Sequence, residues 1–163
     1  MYETLIVYYS LEGNTDYAAK RIKEKTGADP LKLIPKKAYA DKGFKKFFWG
    51  GKSAVFKDKP DLEEYDIDLS SYERIVFGYP VWASTFTPPL RTFIEDNKDA
   101  LAGKSLAVFA CQGGSGAEKS FDKMAKLIGI EKFEITGIFI DPLARKNDGT
   151  DSDIDEFASK ISE

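Results

Sequence analysis

A short polar loop between an apolar run and a helical pattern has the clearest chemical potential: Ser10, Leu11, Glu12, Gly13, Asn14 and Thr15. The apolar run at residues 6–9 is typical of a strand buried on both faces of a parallel sheet. Helical spacing follows at residues 17–25. The start of that helix would offer unpaired backbone N–H groups beside the Ser10 and Thr15 hydroxyls, which favours an anion such as phosphate. A capped turn with no ligand is the structural alternative.

Two later loops also follow predicted strands. The first comes after the apolar run at residues 75–78 and contains Pro80, Val81, Trp82, Ala83, Ser84 and Phe86. The second comes after the run at residues 106–110 and contains Cys111, Gln112, Gly113, Gly114 and Ser115. In parallel sheets, ligands bind beyond the carboxyl ends of the strands, so all three loops are candidates for one site.

Composition excludes several chemistries. With one Cys and no His, the chain has no disulfide, no Cys/His zinc site and no Ser-His-Asp triad, so we predict no catalytic side chain and no metal. The net charge is −3, although residues 32–59 hold nine Lys against two Asp. We interpret this basic stretch as a solvated surface and predict no nucleic-acid partner. Without a membrane-spanning run or a signal-peptide pattern, we expect a soluble, cytoplasmic protein.

The predicted elements alternate between strand and helix along all 163 residues, which we interpret as one domain. Further strands are expected at residues 31–34 and 133–140. Pro88 and Pro89 should open a helix, and Asp151-Ser152 should cap the last one. Between residues 35 and 71 we expect a partly helical excursion that packs back on the domain. Its aromatic residues Phe44, Phe47 and Phe48 would form the packing face.

A family resemblance rests on residues at the spacing of the flavodoxin signature: Ile6, Val7, Tyr8, Ser10, Gly13, Thr15, Ala19 and Ile22. The chain resembles short-chain flavodoxins and flavodoxin-like FMN proteins over nearly its whole length. The resemblance implies an α/β fold, a three-layer sandwich with a five-stranded parallel sheet in the order 2-1-3-4-5 and helices on both faces.

The resemblance also implies FMN as the cofactor. Residues 10–15 would bind its phosphate, and Trp82 would lie near the isoalloxazine ring, although ordinary half-buried packing explains Trp82 equally well. The glycine-rich loop at residues 111–115 would approach the pyrimidine part of the ring. Together, loops after the first, third and fourth strands predict one FMN site.

Two departures from the family concern the first and second loops. Glu12 stands where many members carry a hydroxyl residue, and a carboxylate beside a phosphate is unfavourable unless it points to solvent. Many flavodoxins use a glycine in the second loop to flip a peptide toward the flavin, whereas residues 82–84 here all carry a β-carbon. Because a side chain makes the left-handed conformation cost about 1 kcal/mol or more, we expect less of the one-electron-reduced form to accumulate.

The resulting functional hypothesis is a low-potential electron carrier that works with redox partner proteins. An FMN-dependent NAD(P)H oxidoreductase acting on quinones is the alternative, and a non-redox binding module is a third. The Gly-Lys-Ser triplets at residues 51–53 and 103–105 lack the first glycine of a nucleotide P-loop. No Arg follows Cys111 at phosphatase spacing, so we interpret this cysteine as a small buried hydrophobe.

Overall fold

The computed structural model describes residues 2–39 and 58–163. Within these ranges, five parallel strands form one sheet: β1 (Thr4–Tyr8), β2 (Asp29–Lys32), β3 (Arg74–Pro80), β4 (Ser105–Gln112) and β5 (Ile135–Ile140). Their spatial order is β2-β1-β3-β4-β5, which confirms the predicted order. The chain reverses its direction of progress across the sheet between β1 and β3, so this is the switch point at which open parallel sheets bind ligands.

Helices cover both faces of the sheet in the described ranges: α1 (Asn14–Thr26), α2 (Pro88–Asp96), α3 (Lys98–Leu101), α4 (Ala117–Ile128) and α5 (Asp148–Ser162). Alternate strand residues point to opposite faces. Val7 and Phe77 therefore pack with α2 and α4, whereas Ile6 and Val76 pack with α1 and α5. The two cores give the predicted three layers. No helix in the described ranges is both long and apolar enough to cross a bilayer.

The second strand begins earlier than the sequence pattern indicated. The prediction of residues 31–34 followed the apolar residues, but the paired residues are Asp29–Lys32, with Pro30 opposite Ile6. Pro30 is tolerated because β2 lies at the edge of the described sheet, where no ladder bond from its nitrogen is needed. Ile34 is 53% exposed and lies beyond the strand.

The last helix also begins earlier than predicted. Its N-cap is Asn147, whose side chain accepts a hydrogen bond from the Thr150 N–H at 2.9 Å. Asn is as good a cap as Asp or Ser, and it satisfies the first turn four residues before the predicted Asp151-Ser152 cap. Pro88 and Pro89 do open α2 as predicted.

Residues 40–57 of the aromatic excursion lie outside the described residues, and they include Phe44, Phe47, Phe48 and the triplet at residues 51–53. Its described ends do return to the domain. Pro35 pairs with Leu62 in an antiparallel bridge, and Tyr65 packs on Phe93 of α2 with ring centroids 5.8 Å apart.

Side-chain bonds to α5 hold α1, the helix that follows the first loop. The Arg21 guanidinium donates two hydrogen bonds to the Asp155 carboxylate at 2.7 and 2.9 Å, and the Tyr17 hydroxyl donates to Asp151 at 2.7 Å. The Arg21 hydrogen bond also lowers the pKa of Asp155. A bidentate pair of this kind fixes direction as well as distance, so the N-terminus of α1 has a defined place beside the sheet.

A close contact between neighbouring strands supports the sheet at the switch point. Gly78 of β3 lies opposite Phe109 of β4, and a β-carbon at Gly78 would fall 2.2 Å from Phe109 Cζ. The ring of Phe109 therefore occupies the space that any side chain at position 78 would need. It packs there against Phe139 and Phe157, with centroids 5.6 and 5.8 Å away.

Gly78→Ala is therefore expected to destabilise the fold. Overpacking of this kind costs about 1–3 kcal/mol, and a urea titration should show a lower midpoint with an unchanged slope. Gly114→Ala is the matched control, because a β-carbon there meets no described atom within 4 Å. It should change stability by less than about 0.5 kcal/mol. Equal midpoints for the two variants would contradict the packing account.

Candidate functional site

Backbone bonds draw the three predicted loops together at the carboxyl edge of the sheet. The Tyr9 N–H donates to the Gly78 carbonyl at 3.1 Å, and the Val81 N–H donates to the Cys111 carbonyl at 2.9 Å. A cavity of about 330 Å³ opens there. It is lined by parts of all three loops and of the segment after β5: Glu12, Asn14, Pro80, Val81, Trp82, Ala83, Cys111, Gln112, Gly113, Asp141 and Ala144.

The first loop ends at the N-terminus of α1 without a conventional cap. Gly13 occupies the N-cap position with φ 103°, a left-handed conformation that a residue with a side chain rarely adopts, and it makes no side-chain cap bond. Ser10 takes over part of this role, since its Oγ accepts a hydrogen bond from the Asp16 N–H at 3.1 Å. That bond leaves the Ser10 hydroxyl proton for another acceptor. The N–H groups of the first helical turn lack intrahelical partners, as at every helix start.

The surroundings of Thr15 indicate whether the start of α1 could bind an anion. Its side chain is 1% exposed, and its Oγ1 has no hydrogen-bond partner among the described residues. A buried hydroxyl without a partner costs about 1–3 kcal/mol. An anion at the first turn of α1 would supply an acceptor, so the donors of this loop fit a phosphate group. Glu12 is exposed, which is the condition under which a carboxylate is tolerated beside a phosphate.

Asn14 has a structural role that the sequence did not indicate. Its Oδ1 accepts hydrogen bonds from the Leu143 and Ala144 N–H groups at 2.9 and 3.0 Å. Leu143 also covers Gly13, since a β-carbon there would lie 2.8 Å from Leu143 Cδ2. Residues 141–145 were not among the predicted site residues. A signal was present in Asp141-Pro142, a turn-forming pair placed directly after the fifth strand.

The second loop contains a tight two-residue turn. Trp82 and Thr85 exchange backbone hydrogen bonds of 3.1 and 3.0 Å, and the two residues between them, Ala83 and Ser84, have φ of 50° and 58°. Positive φ at both central positions defines a type I′ turn, which usually contains Asn or Gly. The Lys123 ammonium donates to the Ser84 carbonyl at 3.0 Å and helps to hold this conformation.

This turn corrects the energetic argument made from the sequence. From the sequence, a residue at positions 82–84 was expected to become left-handed, and so strained, only when its peptide flips toward the flavin. Ala83 and Ser84 are already left-handed here, so a cost of about 1 kcal/mol per residue is present before any flip. The lack of glycine at residues 82–84 therefore does not imply that a flipped peptide would be more strained than the present backbone conformation.

Trp82 lines the cavity and also packs against two tyrosines. The rings of Tyr9 and Tyr39 meet it edge to face, with centroids 5.9 and 5.2 Å away. Burial raises the pKa of Tyr9 far above its usual value, so this ring stays neutral. Such pairs fix the orientation of the indole, so Trp82 is a packing residue that also lines the cavity.

The third loop combines a buried start with an exposed glycine-rich end. Cys111 is 3% exposed, and burial raises the pKa of its thiol to about 12. The Thr15 hydroxyl lies beside the sulfur and opposes this shift, although the two groups do not have the geometry of a hydrogen bond. The Gln112 side chain accepts a hydrogen bond from the Ala117 N–H at 2.9 Å and so caps α4. Gly113 and Gly114 are exposed.

Several predicted site residues lie beside the cavity instead of lining it. Ser10, Leu11, Gly13 and Thr15 belong to the first loop, and Leu11 packs against the core. An adjoining groove of about 330 Å³ is lined partly by Ser84, Gln112, Gly114, Ser115 and Gly116. Phe86 is not brought to the cavity: it is 2% exposed and packs on Tyr79 with centroids 6.2 Å apart. The tight turn directs Phe86 inward, beneath α2.

Fold and site together define a class of protein. A parallel sheet in the order β2-β1-β3-β4-β5 and a cavity at the switch point are the features of a flavodoxin-like nucleotide-binding domain. A family model described as flavodoxin matches residues 3–139. The chain belongs to the flavodoxin family, whose cofactor is FMN.

Solved structures show the same fold. The chain is similar to a protein from Bacteroides eggerthii assigned as a flavoprotein, with a TM-score of 0.78, 21% identity and coverage of 100% of this chain and 99% of the other. A Lactobacillus acidophilus flavoprotein solved in complex with FMN has a TM-score of 0.73 and 19% identity, with coverage of 97% of this chain and 99% of the other. The two-electron-reduced flavodoxin of Megasphaera elsdenii has a TM-score of 0.56 and 21% identity, with coverage of 96% of this chain and 98% of the other.

The reactivity of the Cys111 thiol tests whether the start of the third loop is buried. Because its folded-state pKa is about 12, against about 8.5 when unfolded, almost no thiolate exists at pH 8 in the folded protein. A thiol reagent at pH 8 should label the folded chain far more slowly than the chain in denaturant. Since this is the single Cys, labelling is unambiguous. The same shift should remove stability as the pH rises from about 8.5 toward 12. Rapid labelling of the folded chain would contradict the assigned burial.

Proposed function

We propose that this protein binds FMN and acts as a low-potential electron carrier between redox partner proteins. The observation that carries the proposal is the buried Thr15 hydroxyl at the start of α1, which has no hydrogen-bond partner in the described part of the chain and lies next to a cavity lined by all three loops. A phosphate accepts hydrogen bonds from backbone N–H groups and hydroxyls at such a helix start without a Lys or Arg.

The chain's own groups divide the work of holding the cofactor. The hydroxyls of Ser10 and Thr15 and the first N–H groups of α1 would bind the phosphate. Trp82, oriented by its two tyrosine contacts, and the exposed backbone at Gly113 would hold the ring. When bound, FMN would supply reversible redox chemistry.

Composition supports assigning the redox chemistry to the cofactor. The chain has no His, and its single Cys is buried with a raised pKa, so neither imidazole nor thiolate is available for acid–base or covalent steps. A protein of this kind needs only to bind, orient and partly shield its cofactor in order to pass electrons between partners.

One observation favours a second candidate, an FMN-dependent NAD(P)H oxidoreductase that reduces quinones. The groove beside the cavity has about the same volume, 330 Å³, and shares Gln112 with it. A second substrate held there, such as a nicotinamide or a quinone, would lie next to the cofactor. A carrier has no need of this groove.

Thr15→Val tests the phosphate assignment through two effects of opposite sign. The change removes an unpartnered buried hydroxyl at constant shape, so the free energy of unfolding of the apoprotein should stay equal or rise. The FMN affinity should fall by about 1–3 kcal/mol, because a donor to a charged group is lost. Fluorescence titration of FMN and urea unfolding measure the two effects.

Thr136→Val on β5 is the matched control, because it removes an exposed hydroxyl away from the cavity. Its FMN affinity should equal that of the wild type. Unchanged FMN affinity in Thr15→Val would refute the role of the first loop. A wild-type protein that binds no FMN would refute the function itself.

Turnover separates the two candidate functions. With FMN bound and a quinone present, the carrier should oxidise NADH or NADPH no faster than free FMN at the same concentration. Rapid, saturable oxidation that depends on the protein would instead support the reductase. Stopped-flow or steady-state absorbance at the nicotinamide band makes the comparison.

A further inference from the structure

The segment after β5, residues 141–145, forms a fourth wall of the cavity. Asp141 opens it with φ 37°, and its N–H donates to the Gln112 carbonyl at the end of β4 at 3.1 Å. The Arg145 N–H then donates to the Asp141 carbonyl at 2.7 Å and closes a turn. Asp141 and Ala144 both line the cavity.

The Arg145 side chain joins this segment to the third loop. Its Nε and Nη2 both lie 2.9 Å from Asp141 Oδ2, and Nη2 also donates to the Gly113 carbonyl at 2.9 Å. The planar guanidinium can meet a carboxylate and a carbonyl at once in a fixed geometry. Because a trans peptide fixes its N–H opposite its carbonyl, the bond to Gly113 sets the direction of the Gly114 N–H as well.

The third loop has little else to hold this peptide. Gly113, Gly114 and Ser115 are all exposed, and a β-carbon at Gly114 would meet no described atom within 4 Å. At Gly113 the nearest described atom to such a carbon would be Asp141 Oδ2, at 3.3 Å. Glycine backbones without packing sample many conformations, so the orientation of this peptide depends on the Asp141–Arg145 pair.

This peptide belongs to a different loop from the proposed phosphate donors. The proposed phosphate donors belong to the first loop and α1, whereas Gly113 belongs to the third loop, whose first residue, Cys111, bonds to Val81 of the second loop. A ligand that spans the cavity from the α1 N-terminus would therefore present its non-phosphate end to Gly113.

We propose that Arg145 is a positioning residue for the flavin ring: it holds the Gly113–Gly114 peptide in the orientation that the ring needs, without binding the phosphate. The inference rests on the proposed FMN function. A purely structural role is disfavoured because the side chain of Arg145 is 59% exposed, and ion pairs so exposed add little to stability.

The experiment compares FMN with riboflavin, which has the same ring and no phosphate, on the full chain. Arg145→Met keeps the length of the side chain and removes its charge. It should weaken binding of both ligands by the same factor, roughly five- to tenfold, because the ligand would then have to order the Gly113–Gly114 peptide itself. The melting temperature of the apoprotein should stay within about 2 °C of the wild type.

Two further variants complete the design. Arg145→Lys retains a cation that can reach the Gly113 carbonyl but loses the fork, so its affinities should fall between those of the wild type and Arg145→Met. Lys160→Ala is the matched control, because it removes an exposed pair with Glu156 on α5, N···O 2.7 Å, away from the cavity. It should bind both ligands as the wild type does.

Contrary results are equally specific. Wild-type affinity of Arg145→Met for both ligands would overturn the inference while leaving FMN binding intact. Loss confined to FMN would assign Arg145 to the phosphate instead and would overturn the ring role. A lowered apoprotein melting temperature with the same affinity loss would reduce Arg145 to a structural residue. If the wild type bound neither ligand, the proposed function would fail, and the inference with it.

Discussion

The site depends on the register of β1, β3 and β4. Tyr8, Gly78 and Phe109 lie side by side across these strands, so their chains reach the carboxyl edge of the sheet together. The absence of a side chain at Gly78 lets the Phe109 ring fill the layer beneath α1 and α5. A slip of one residue would turn each buried side chain to the wrong face and separate the loops. The same packing that stabilises the sheet therefore places the three loops around one cavity.

Local strain is concentrated around that cavity. In the described ranges three residues other than glycine have positive φ, namely Ala83, Ser84 and Asp141. Ala83 and Asp141 line the cavity, and Ser84 lines the adjoining groove. Such conformations persist only where neighbouring contacts hold them, and here Lys123 and Arg145 each donate to a carbonyl of the second or third loop. The cavity wall is thus built from backbone that is fixed by long cationic side chains on adjacent elements.

The sequence predicted the fold because its strongest signals are local. Apolar runs and helical spacing reveal buried strands and helices, and the near-obligatory hand of the crossovers reduces the possible topologies. Boundaries were harder where hydrogen bonding and not hydrophobicity decides them. Pro30 lies inside a strand that the apolar pattern placed later, and Asn147 caps a helix that was expected to begin after Asp151-Ser152.

The sequence indicated which loops meet at one cavity, but not which of their side chains line it. Loops after β1, β3 and β4 had to meet, so Trp82 and Gly113 could be assigned to one place. Phe86 could not be excluded in advance, because its inward direction depends on the type I′ turn before it. Arg145 was missed because its bonds join residues 32 positions apart, which no local pattern records.

The central claim is that the start of α1 binds the phosphate of FMN while the second and third loops hold its ring. Backbone amide spectra of the ¹⁵N-labelled protein, recorded with FMN and with riboflavin, test it most directly. The account predicts that the Asn14 and Thr15 amides shift with FMN and hardly move with riboflavin, whereas the Ala83 and Gly113 amides shift with both. Equal shifts of Asn14 and Thr15 with the two ligands, or none with FMN, would contradict it.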